Sequence, residues 1–279
     1  MSRFLSLSEE EILDCINHLN QLDLISINGQ FVGTSDLDNK LSKRLIGNEK
    51  AEKLWFKAEK NARLISKFPF VRGVLISGSF SKGFIGEDGD LDFFIITKPG
   101  RLWVARTSLI LYKKLFLFNS HKYFCVNYFV DEDHLEVEEK NIFTATELVT
   151  LLPMINLELH QNLIKNNKWV NEYYPSLFHD NENIEKAQNS RLKRFTEKAM
   201  SGKIGEKLDQ YFMRMTLKRW QKKFSFLSDE DFEVAMKTTT NVSKHHPNNF
   251  QRKVLDRHQE ILKKLIDQYE ASAHVKTAV

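Results

Sequence analysis

The residues best equipped for chemistry lie in VLISGSFSKGFIGEDGDLDFFIIT, positions 74–97. A short apolar run ends in Gly78-Ser79, and glycine there lets a ligand approach the backbone closely. Exposed N–H groups at a turn into a helix, with the Ser79 hydroxyl beside them, form an anion site. Ser81, Lys82 and Gly83 continue that turn, and the Lys82 ammonium can meet a phosphate. Asp90 and Asp92 come next, two positions apart at the head of a second apolar run. At that spacing their side chains share one face of a strand, while Leu91 and Phe93 point to the other face, into the core. Two carboxylates held side by side repel each other unless a cation sits between them. Magnesium takes one or two carboxylates plus substrate phosphates. Two such ions, about 3.5–4 Å apart, can orient the attacking and leaving oxygens of an in-line displacement. A phosphate cradle followed by a carboxylate pair is what nucleotidyl transfer requires.

These groups need elements to hold them. Residues 71–79 read as a strand ending in small residues, 91–97 as a second strand, about 101–118 as a helix and 123–130 as a third strand. Upstream, Ser8 and Glu11 form a capping-box signature before Ile12, Leu13, Ile16, Leu19 and Leu22 at helical spacing. Asn28-Gly29 between two short apolar runs is a hairpin signal. Helix then hairpin gives a degenerate winged-helix-like segment over 1–48. Glu49–Phe68 reads as an amphipathic helix that stops before Pro69. Beyond residue 140 the pattern predicts helices only. A capping box at Thr144 and Glu147 opens one that runs to about Asn166. Ile204, Leu208, Tyr211 and Met215 mark one face of another, and Asp256–Tyr269 forms the last. The expected division is 1–48, a central α/β unit over 49–140, and a helical C-terminal domain over 141–279.

Composition removes several classes. With 42% apolar and 28% charged residues among 279, the chain can build a core and is not of the disordered type. Two cysteines, Cys15 and Cys125, exclude a disulfide framework and a multi-cysteine zinc site. The most apolar long stretch, Leu102–Phe118, is interrupted by Arg106, Lys113 and Lys114, so no membrane span is expected. Free thiols and the lack of a signal-peptide core suggest a cytoplasmic protein. A net charge of +4 is too weak to indicate a nucleic-acid partner.

Gly78-Ser79, a ten-residue spacer, and Asp90-Leu91-Asp92 in an apolar strand resemble the signature of the DNA polymerase β-like nucleotidyltransferase superfamily. The resemblance covers about residues 50–135 and is nearest to minimal bacterial members, with no subfamily assigned. It implies an α+β fold with a mixed sheet flanked by helices. It also implies a metal-dependent transfer of a nucleoside monophosphate from a nucleoside triphosphate to a hydroxyl acceptor, releasing pyrophosphate. By the same resemblance Gly78 and Ser79 bind the triphosphate, joined by Lys82 from its place in the turn, and Asp90 and Asp92 bind Mg²⁺ or Mn²⁺. Acceptors in such families include small molecules, proteins and RNA. The superfamily usually adds a third carboxylate on the next strand. Here Asn127 stands in that place; it can ligate a metal through its carbonyl but cannot act as a base. Asp131 or Asp133 can substitute if they reach the ions. Otherwise the chain is a nucleotide-binding regulatory or adaptor protein that turns its nucleotide over weakly or not at all.

Other candidates carry less. His245-His246-Pro247 lacks neighbouring ligands for a metal and reads as a loop, and Cys125 on its apolar strand reads as an inert core thiol. Residues 191–224 hold eleven Lys or Arg against three acids. They read as a basic wall over the site that contacts phosphates or nucleic acid, or as a solvated helix face. The six acids within 131–139 read as an exposed loop. The helix at 8–22 holds Glu9, Glu10, Glu11 and Asp14 and no Lys or Arg, which argues against nucleic-acid binding there.

Overall fold

The computed structural model describes residues 6–33, 37–120, 122–176, 184 and 190–277. It begins with α1 (Glu9–Gln21), whose first turn is closed by the expected capping box: the Glu11 amide donates to Ser8 Oγ, and the Ser8 amide to Glu11 Oε2. A hairpin of β1 (Ser26–Asn28) and β2 (Phe31–Gly33) comes after it. Its turn lies one residue later than the sequence suggests, on Gly29 and Gln30, with only Gly29 at positive φ (57°). Next comes α2 (Leu37–Ser66), one unbroken helix that starts twelve residues before the expected Glu49. Gly47-Asn48 looks like a stop signal, yet Gly47 is buried inside the helix. A Cβ there would collide with the Phe84 ring, and the Gly47 carbonyl accepts from the Ile85 amide at 3.1 Å. That glycine is a crossing point, where the loop after Lys82 lies against the helix.

The centre is a five-stranded mixed sheet. Its strands are β3 (Val71–Ser77), β4 (Asp92–Thr97), β5 (Cys125–Asp131), β6 (Leu152–Ile155) and β7 (Val242–Lys244), in the order β6-β3-β4-β5-β7. β4 and β5 are parallel and the other pairs antiparallel. α3 (Leu102–Phe116) makes the crossover between the parallel pair. Val74, Ile76, Phe93 and Ile95 face Ala58, Ala62 and Ile65 of α2 and Leu102 and Ala105 of α3. Leu75, Phe94, Ile96 and Val130 face the opposite layer. Burial on both faces is why these strands read as continuous apolar runs rather than alternating ones.

The C-terminal half is not purely helical, contrary to the sequence reading. The helix expected from Thr144 to Asn166 is split into α4 (Ile142–Val149), β6 and α5 (Leu157–Asn166). Pro153 forces the break: it excludes the helical conformation before it and fits only an edge strand, which β6 is. The cap of α4 is Asn141, whose side chain accepts from the Thr144 amide, so Glu147 is not used for capping. α6 (Arg191–Ala199), α7 (Lys203–Lys223), α8 (Asp229–Ala235), β7 and α9 (Phe250–Thr277) complete the chain. α7 forms as expected but turns mostly a different face inward: Ile204, Tyr211 and Met215 are exposed, Leu208 packs on the core, and Asp209, Thr216 and Trp220 are buried. Among the described residues no helix is long and apolar enough to cross a membrane.

The basic stretch begins away from the acidic pair, and only its far end, Trp220 and Phe224, packs on His245 near Asn127. Ten of its eleven cations are exposed, and the eleventh, Lys193, is buried with Nζ donating to the Ser66 and Val71 carbonyls at 2.8 and 2.7 Å. Val71 is at the far end of β3 from Gly78, about 20 Å away at strand rise. The same corner holds Phe70, fully buried at φ 64°. Glu197 fixes it by accepting from the Phe70 amide at 2.6 Å and from both terminal nitrogens of Arg72 at 2.9 and 3.0 Å. Glu197→Ala leaves an amide and a guanidinium without their acceptor. It is expected to lower stability by about 2–4 kcal/mol, read as a shifted midpoint in equilibrium urea unfolding.

Candidate active site

β3 delivers the chain to Gly78, which turns sharply at φ 69°. The chain then makes a single 3-10 turn, Phe80–Lys82, closed by Gly83 at φ 67°, and not the helix expected there. The turn is held by its own groups. Ser81 Oγ and Lys82 Nζ both donate to the Gly78 carbonyl at 2.9 Å, and the Ser79 carbonyl accepts from the Lys82 and Phe84 amides. Lys82 Nζ also pairs with Glu147 Oε1 of α4 at 2.8 Å. That acid was legible only as a capping residue. Its role depends on α4 lying over the end of β3, which no local pattern encodes.

Asp90 and Asp92 enter from the loop before β4 and from its first residue. Gly78 and Asp92 are pressed together: a Cβ built on Gly78 would lie 2.5 Å from Asp92 Oδ2. Asp90, Asp92 and Cys125 each offer a ligand atom, and the three atoms lie within 4.8 Å of one another. Cys125 thus lies beside the acids rather than in the core. It is the in-register neighbour of Asp92 across the parallel pair and only partly buried. Burial, then the charges of Asp92 and Asp90, push its thiol well above the ordinary range. Burial, and next the Asp90 charge, push the Asp92 carboxyl up to about 7.

Asn127 sits at an irregularity of β5. Val126 faces Phe93 and Tyr128 faces Phe94, which leaves Asn127 as the extra residue of a bulge. Its Nδ2 donates to Asp92 Oδ1 at 2.7 Å, and its Oδ1 is buried without a hydrogen-bond partner. Asp131 pairs with Thr97 at the other end of the strand, about 17 Å from Asp92 at strand rise. It is buried there, 2.7 Å from His134 Nδ1 and accepting from the Asp133 amide. Neither Asp131 nor Asp133 reaches the acidic pair. The acidic stretch is not a plain exposed loop either, since Leu135 and Val137 are buried in the second core layer.

The two histidines part company. His245 packs between Trp220 and Phe224, with ring centroids 4.9 and 5.7 Å away, and burial holds it down at about 3. His246 sits edge-on to Tyr128, and burial holds it down at about 4. Both are neutral near pH 7, and their side chains do not form a ligand pair. Among the described residues the one group fit for a metal ion is Asp90, Asp92 and Cys125. Two neighbouring carboxylates, one of them lifted by burial and by its neighbour's charge, could hold a divalent cation. A cavity of about 90 Å³ adjoins the acids, lined from Ser77, Gly78 and Asp92 across to Lys244, His246 and Asn249.

Compared with protein-family models, curated proteins and solved structures, the chain finds no match.

Proposed function

We propose that this chain is a nucleotidyltransferase of the DNA polymerase β-like type, moving a nucleoside monophosphate from a nucleoside triphosphate to a hydroxyl acceptor. The observation that carries the reading is the contact of Gly78 with Asp92. A side-chain-free turn lies directly against one of two neighbouring carboxylates, so an anion on the turn and a cation on the acids would be adjacent. Asp90 and Asp92 would hold Mg²⁺ or Mn²⁺, which supplies the positive charge that phosphoryl oxygens need as the bond to the leaving group breaks. Gly78 and Ser79 offer backbone and hydroxyl donors to the triphosphate. Lys82 adds its charge on exchanging Glu147 for phosphate. In the transfer the acceptor oxygen bonds to the α-phosphorus as its proton passes to solvent water, the bond from that phosphorus to the bridging oxygen breaks, and pyrophosphate leaves.

A second reading has its own observation. The third position near the acids is filled by an amide that donates to Asp92 and by a thiol; among the described residues no third carboxylate joins that ligand group, and Glu147, whose charge reaches Asp92, is paired with Lys82. That arrangement favours a nucleotide-binding regulatory protein with slow or absent turnover. Incubation with α-labelled nucleoside triphosphates and Mg²⁺ or Mn²⁺ decides, using wild type beside Asp90→Asn. Label transfer and pyrophosphate release in wild type alone support the enzyme. Equal labelling by both chains removes the assignment, and metal-dependent binding without pyrophosphate release supports the regulatory reading.

A further inference from the structure

The cavity beside Asp92 holds three buried polar atoms without hydrogen-bond partners among the described residues: Asn127 Oδ1, His246 Nε2 and Asn249 Oδ1. All three residues line the same space. Buried polar atoms are rarely left unsatisfied, and three around one cavity point to a ligand that supplies the missing partners. Their character is fixed by what lies behind them. Asn249 Nδ2 donates to Asp231 Oδ1 at 2.7 Å, and Arg252 holds the same carboxylate oxygen at 2.8 Å. A carboxylate accepts only, so the amide is oriented and Asn249 presents its carbonyl to the cavity. Asn127 is oriented in the same way, by its bond to Asp92. The wall therefore shows two hydrogen-bond acceptors, with the neutral His246 ring as an adaptable third. The remaining lining is mostly apolar and aromatic, with Tyr128, Phe143 and Phe250 around the space, and its other charged members have partners: Lys244 Nζ donates to Gln251 Oε1 at 2.9 Å and lies 4.0 Å from Glu139, and Glu147 is paired with Lys82. A flat ring carrying N–H donors fits such a box, as a charged or fully hydroxylated group does not.

We infer that this cavity takes the base of the bound nucleotide and prefers a base bearing an exocyclic amine, adenine or cytosine, over its oxo counterpart, hypoxanthine or uracil. The amine offers two N–H donors where the oxo group offers none. The inference rests on nucleotide binding at the turn and the acidic pair, which both functional readings share. An oxo base would set its carbonyl against one of them and offer only its single ring N–H, so at least one acceptor would stay buried and unpaired.

Isothermal titration in Mg²⁺ with α,β-methylene analogues, which resist transfer, provides the test. Tripolyphosphate serves as the base-free probe. The ATP analogue is expected to bind about tenfold tighter than the ITP analogue, and the CTP analogue tighter than the UTP analogue by a similar factor. Asn249→Gly removes one acceptor at a left-handed position (φ 45°) that glycine adopts without strain. It is expected to shrink the ATP–ITP difference to about threefold or less, with tripolyphosphate affinity unchanged. His246→Leu should also narrow the gap and guards against any local disturbance by the glycine. Equal binding of the amine and oxo analogues by wild type overturns the inference while leaving the site on the turn intact. Discrimination that survives both substitutions also overturns it. Failure of every nucleotide and of tripolyphosphate to bind overturns it together with the reading on which it rests.

Discussion

Asp92→Asn is expected to abolish nucleotidyl transfer, by about 10³-fold or more, and yet to make the metal-free protein harder to unfold at pH 8. The first effect comes from removing half of the charge that would hold the cation. The second comes from the carboxylate's position. Its folded-state value is lifted to about 7 from an ordinary 3.8 by burial and by Asp90. A carboxyl raised in this way binds its proton more tightly in the folded chain than in the unfolded one. Folding stability therefore falls as pH rises from about 4 to about 7, and the whole penalty is present above 7. Asparagine carries no such charge and still accepts from Asn127. The gain at pH 8 should be about 1–3 kcal/mol, shrinking to nothing near pH 4. Thermal melts at the two pH values, beside the transfer assay, check both halves. A variant that melts with wild type at pH 8, or that still transfers label, contradicts the placement of Asp92.

The second large effect belongs to Gly78→Ala. The added methyl enters a left-handed conformation, which costs about 1–2 kcal/mol in itself, and its carbon would lie 2.5 Å from Asp92 Oδ2. The carboxylate must move. A displacement of about 1 Å at a reacting centre costs about 10²-fold in rate. Gly83→Ala separates the two causes. Gly83 has nearly the same φ, 67°, but open space where its Cβ would go. Both variants should lose similar backbone stability in thermal melts, while Gly83→Ala keeps transfer within a few-fold of wild type. Equal loss of activity in the two would mean that backbone strain matters and the contact with Asp92 does not.

The sequence placed the acids well because their information is local. Two aspartates separated by Leu91 and followed by an apolar run come together even though the strand starts only at Asp92 and Asp90 stays in the loop before it, and Leu91 and Phe93 are fully buried. The hairpin and the Ser8 cap are local in the same sense. What failed depended on partners distant in the chain. Cys125 and Asn127 share a strand face by their spacing, so placing Asn127 near the acids should have brought Cys125 with it. Its contact with Asp90 and Asp92 required the register of β5 against β4, including the bulge. Glu147 looked like a capping residue because Thr144 precedes it by three, and nothing nearby indicates that Lys82 waits across the fold. β6 and β7, four and three residues long, are too short to show an alternating pattern. In α7 three of the four apolar residues at helical spacing face solvent and only Leu208 packs on the core, while a buried aspartate caps α3 through the Val104 amide.

The order of the sheet has a consequence for biosynthesis. Its three inner strands are complete once residue 131 has been made, but its two borders come from residues 152–155 and 242–244. A nascent chain of about 200 residues can close one border and must leave the far edge of β5 bare, with its main-chain groups open to any passing strand. The last piece of the sheet to be translated is thus the one that seals it. Ribosomal pausing or truncation ahead of β7 would expose the protein to intermolecular strand pairing at just that edge.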